Sequence, residues 1–119
     1  MVDPLEIKNC LFDYTAGDRE ICSLRSIGDL IIEDSVFIAR SHQYAWLTID
    51  KDYSGDDLGG AVTERIVLRD IWAQGVTLKL MLPRTGTEKQ QAMSFQLHCP
   101  GKEVVIDARR GRVLAESAL

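Results

Sequence analysis

Apolar and polar residues alternate with a period of two along most of this chain. In GVTLKLMLP, Val76, Leu78, Leu80 and Leu82 alternate with Thr77, Lys79 and Met81, the pattern of a strand with one wet face. AMSFQLHC repeats it, with Met93, Phe95, Leu97 and Cys99 set against Ser94, Gln96 and His98. The polar TGTEKQQ between the two predicts a hairpin. The tail KEVVIDARRGRVLAE predicts another, with arms Val104–Asp107 and Arg112–Leu114. Gly111 supplies the positive φ that a type I turn followed by a G1 bulge requires. LEIKNCLFDY and REICSLRS, either side of TAGD, add two strands, and IIEDSVFIAR reads as two short ones about Glu33-Asp34-Ser35.

AVTERIVLRDIWA, residues 61–73, carries a helix-or-strand ambiguity. A helix would bury Arg65 and Arg69 within its apolar arc. A strand places Ile66, Leu68 and Trp72 on one face and Arg65, Val67 and Arg69 on the other, so the strand is preferred. Asp70 then falls on the apolar side, which demands a bulge or a paired arginine. QYAWLTI is apolar on both faces, with Ala45, Leu47 and Ile49 one way and Tyr44 and Trp46 the other. Such a strand predicts a cover over Tyr44 and Trp46.

The strands and their turn signals predict a mainly β fold, an antiparallel small barrel or sandwich of about eight strands. The rival is an α+β fold, an antiparallel sheet in which residues 27–34 or 54–62 form a helix. No internal repeat, linker or low-complexity tract stands out, so 1–119 reads as a single domain.

Composition changes this picture little. Hydrophobic residues make up 45% and charged residues 27%, as in an ordinary globular chain. No apolar run reaches the roughly 18 residues of a membrane span. Cys10, Cys22 and Cys99 are odd in number and form no CxxC pair, which predicts reduced thiols and a cytoplasmic location. Charge is more informative. Residues 1–60 hold twelve acids and five bases, whereas residues 61–119 hold six acids and nine bases. That split suggests steering toward a partner or head-to-tail self-association, and the net charge of −4 disfavours nucleic acid.

Candidate chemistry is sparse. DKDYSGDD places Asp50, Asp52, Ser54 and Asp56 at alternate positions with Gly55 between the last two. This D-x-D-x-S-G core resembles calcium loops of the EF-hand sort, which implies oxygen ligands from those four residues. Ala61 stands where that family has its bidentate glutamate, so the expectation is no cofactor, with calcium as the exception to test. RIVLRDIWAQGVTLKLMLP is similar to part of a PilZ-type cyclic-di-GMP barrel through Asp70 and Gly75, with Trp72 in place of that family's serine. AMSFQLHCPGKEVVIDARRGRVL is similar to the closing hairpins of PepSY domains, although TLKLMLP stands where a helix is expected. His42 and His98 share no metal-ligand spacing, and no nucleophile elbow, P-loop or dinucleotide fingerprint is present.

The expectation is therefore a non-catalytic binding or regulatory module, adaptor-like or immunity-like, that engages a protein partner. Its contacts would be Tyr44 and Trp46, the acidic loop, and the basic tip Arg109, Arg110 and Arg112, whose guanidinium groups suit carboxylates or phosphates. The runner-up is a small-molecule-binding β-barrel with Trp46 or Trp72 lining its cavity, a cyclic dinucleotide being one such ligand. An exposed edge strand also admits a homodimer.

Overall fold

A computed structural model of the chain describes residues 4–15, 19–40, 45–51, 62–83 and 89–119. Among these residues ten strands form two sheets. Leu5–Lys8 (β1), Leu11–Tyr14 (β2), Gly28–Ala39 (β4), Thr63–Gln74 (β6), Cys99–Asp107 (β9) and Arg112–Ala118 (β10) make a six-stranded sheet. Glu20–Leu24 (β3), Ala45–Ile49 (β5), Val76–Met81 (β7) and Ala92–Gln96 (β8) make a four-stranded one.

The mainly β class holds, but pairing differs from the antiparallel barrel expected. β1 and β2 pair parallel with β4, β4 with β6, β3 with β5 and β5 with β7. The chain crosses from one sheet to the other after each pass, so each strand lies against its own equivalent one winding later. This is the logic of a short parallel solenoid, and the sheets do not close into a barrel. Only after β7 does the chain double back: β8 is antiparallel to β7, β9 to β6 and β10 to β9. The two hairpins expected from the sequence are β7–β8 and β9–β10. Gly111 has φ +69° and donates its N–H to the Asp107 carbonyl at 2.8 Å. Residues 28–39 form a strand, not a helix, because their β-branched and apolar residues fill both sides of a pleated surface; residues 54–61 lie outside the described part.

A repeat does exist, contrary to expectation. Asn9, Asp34 and Asp70 have φ of 55°, 51° and 49°, the left-handed region that Asn and Asp tolerate best among residues bearing a side chain. They stand in one column, because Lys8 aligns with Glu33 and Arg69 on one side of the bend. On the other side Leu11 aligns with Val36 and Trp72. Gly101, φ +67°, closes the column on β9 and donates its N–H to Asp70 Oδ1 at 2.8 Å. The bulge demanded at Asp70 is this corner.

Each corner bends the strand and resets its alternation. Leu30 and Ile32 face inward before Asp34, and Ser35, Phe37 and Ala39 face inward after it. Ile66 and Leu68 precede Asp70, and Ile71 follows it, all fully buried. Ser35 apart, these join Leu47, Ile49, Leu78, Leu80 and Ile106 in one core, each leucine, isoleucine or phenylalanine contributing about 1.5–3 kcal/mol of burial free energy. The outer face carries charge instead. Lys8, Glu33, Arg69 and Glu103 lie in register and pair as Lys8–Glu33 (3.7 Å) and Arg69–Glu103 (3.1 Å). Arg65 likewise points outward, 2.6 Å from Asp29.

Candidate functional site

Several of the residues singled out from the sequence are already engaged within the chain. Tyr44, Asp52, Ser54 and Asp56 fall outside the described residues. Trp46 sits on the outer face of the four-stranded sheet, with Lys79 Nζ 4.5 Å from its ring centroid. A cation from the neighbouring strand therefore lies against the Trp46 ring. The basic tip is held from within. Asp107 Oδ1 accepts the backbone N–H groups of Arg109 (3.0 Å) and Arg110 (3.1 Å), and Oδ2 accepts Arg110 Nη1 at 3.1 Å. Burial raises the Asp107 pKa, but these donors outweigh it and hold the carboxyl below its usual range. Arg109 reaches Glu64 at 3.1 Å, and Arg112 opens β10 on the exposed edge.

Asp50 departs most from its expected role. It is fully buried, with φ 59°. Its Oδ1 accepts from Thr63 Oγ1 at 2.8 Å and lies 3.7 Å from Arg25 Nε, while Oδ2 is buried with no hydrogen-bond partner among the described residues. Thr63 also accepts the Ser26 N–H at 3.0 Å, so the carboxylate ties the exit of β5 to the entry of β6. Burial raises its pKa, partly offset by the Thr63 hydroxyl and the Arg25 charge. Among the described residues no group of three or more His, Cys, Asp or Glu side chains is placed to hold a metal ion. Cys22 is pushed up to about 11 by burial and the Glu20 charge, which keeps its thiol protonated. Among the described residues no helix is long and apolar enough to cross a membrane.

The surface that stands out is one the sequence reading placed inside. The reset at Asp70 turns Trp72 outward, where it is 52% exposed. Its register mates are Val36 on β4 and, one winding earlier, Leu11, which is 65% exposed. One apolar side chain per winding therefore forms a stripe, Leu11–Val36–Trp72, across three parallel strands. His98 props the aromatic end. Its Nδ1 accepts the Ala73 N–H at 3.0 Å, and its ring meets the indole edge-on with centroids 4.7 Å apart. Asp13 and Arg40 border the stripe as an ion pair at 2.7 Å, which holds the Asp13 carboxyl below its usual range through the guanidinium hydrogen bond.

Leu11 and Val36 were missed because their role depends on alignment between windings. The signal was present as N-C-L-F, D-S-V-F and D-I-W-A, residues 9–12, 34–37 and 70–73. Beside the stripe, at the C-terminal end of the stack, lies a recess of about 440 Å³ with His98 on its border and Phe95, Val104, Ile106 and Val113 on its apolar walls. No family model, curated protein or solved structure matches this chain.

Proposed function

We propose that this protein is a non-catalytic binding module that engages a protein partner through the Leu11–Val36–Trp72 stripe. The observation that carries the reading is the half-exposed Trp72 indole, held in one orientation by His98 at the end of an apolar row. Aromatic side chains concentrate binding energy when a partner desolvates them, and a side chain fixed beforehand loses little entropy on binding. The Asp13–Arg40 pair supplies a polar rim beside the apolar centre, the usual anatomy of an interface. The basic tip contributes less to this reading, since Arg109 and Arg110 are neutralised within the chain. The small-molecule alternative loses support because both tryptophans lie on outer faces rather than around a cavity.

Site-specific photocrosslinking tests this. A benzophenone amino acid replaces Trp72 in one sample and Trp46 in another, each irradiated in cells of the native host. Position 72 is expected to give discrete protein adducts that Leu11→Asp removes, while position 46 gives few. Equal labelling at the two positions, or none at 72, overturns the assignment.

A further inference from the structure

The geometry points to a second copy of this chain as the occupant of the recess at the C-terminal end. The inference does not draw on the Trp72 stripe, although the two surfaces adjoin: His98, whose ring meets the Trp72 indole, also lines the recess. The two sheets end unequally. Beyond the third winding the four-stranded sheet adds only β8, whereas the six-stranded sheet adds both β9 and β10. β8 and β9 line the recess, and β10 overhangs it, facing no other strand among the described residues. Val113 and Glu116 line the recess from the overhang, and Lys102, Val104 and Ile106 line it from β9. All seven residues of β10 are exposed, and its outer edge is unpaired among the described residues.

An overhang beside a hollow is self-complementary under two-fold rotation. If two copies meet end to end, each β10 covers the other's recess, and Val113, 48% exposed in one copy, packs against the partner's apolar wall. In an isologous contact each pairing occurs twice, and the rim charges fit this requirement. Lys102 and Glu116 are opposite in sign, 3.8 Å apart, with side chains 56% and 58% exposed. Facing copies bring two cations and two anions together, so each Glu116 meets the other copy's Lys102 without net charge.

The full chain at about 1–100 μM in sedimentation velocity is expected to be a dimer with a concentration-dependent monomer fraction, given the affinities that interfaces of ordinary size reach. Lys102→Glu and Glu116→Lys should each be monomeric, because each leaves like charges facing across the two-fold. Mixed in equal amounts, these two variants should form a heterodimer, since every contact between the copies is again complementary. Val113→Asp should be monomeric and stay so in any mixture, with an unchanged far-ultraviolet spectrum. A monomeric wild type overturns the inference, including when a photocrosslinker at position 113 captures a different protein. Charge variants that remain dimeric overturn it too, as does a mixture that yields no heterodimer. Because His98 lies between the recess and Trp72, only adducts at position 72 with a different protein speak for the stripe, and adducts with a second copy of this chain speak for the dimer.

Discussion

Two columns of side chains, one residue apart in every winding, meet opposite fates. Phe12, Phe37 and Ala73 point inward, with the two phenylalanine rings stacked at 4.6 Å and 1° between planes. Leu11, Val36 and Trp72 point outward. Hydrophobicity does not separate the columns, since tryptophan and leucine lie outside and alanine inside. What separates them is the left-handed residue just upstream, which fixes which side of the pleat each following residue takes. A slip of one position would exchange the columns throughout an arm.

The largest expected effect comes from breaking the inner column. Phe37→Ala should cost about 3–5 kcal/mol in urea unfolding, because Phe37 is wholly buried and its loss leaves a cavity. Val36→Ala, one position away, should cost less than about 1.5 kcal/mol. Equal losses at the two positions would remove the distinction between columns.

The corner itself should have an intermediate effect. Asp70→Val places a β-branched residue at φ 49° and removes the acceptor for the Gly101 N–H. Together these should cost about 2–3 kcal/mol. Asp70→Gly retains the backbone freedom and should cost less than Asp70→Val by about 1 kcal/mol. If Asp70→Val unfolds at the wild-type urea midpoint, the corner does not govern the phase.

The smallest effect concerns Asp50, which locks the far end of β5 rather than either column. Its pKa is raised on folding, so the folded state binds the proton more tightly than the unfolded one. The associated stability is present at low pH and is lost as pH rises through the folded value. Asp50→Asn keeps an acceptor for Thr63 and abolishes that titration. From acid to neutral pH the variant should therefore gain stability relative to wild type in a pH series of urea melts. Parallel curves would contradict this.

These positions also show how far the sequence could be read. Strand-forming stretches were legible because period-two alternation is a local property, and the two C-terminal hairpins were legible because their partners are neighbours in the chain. Parallel pairing was not legible. Leu30 aligns with Ile66 across a long connection, and nothing local to either residue announces the other. Trp72 was assigned to the inner face by counting alternation straight through Asp70, the residue where counting restarts. The need for a bulge at Asp70 was correctly seen, but its consequence for every later residue in the strand was not followed. Asp50 looked like an exposed ligand because aspartate in a polar run usually faces water. Only the fold reveals that Thr63 and Arg25 enclose it.

The column of corners has a consequence for how such a chain can change in length. Because Asn9, Asp34 and Asp70 each restart the inward–outward count, an arm takes no phase from the one before it. The sequence distance from one corner to the next already differs between the first and second windings. A whole winding, corner included, is therefore an exchangeable unit that insertion or loss would leave in frame, whereas one residue gained inside an arm would scramble it.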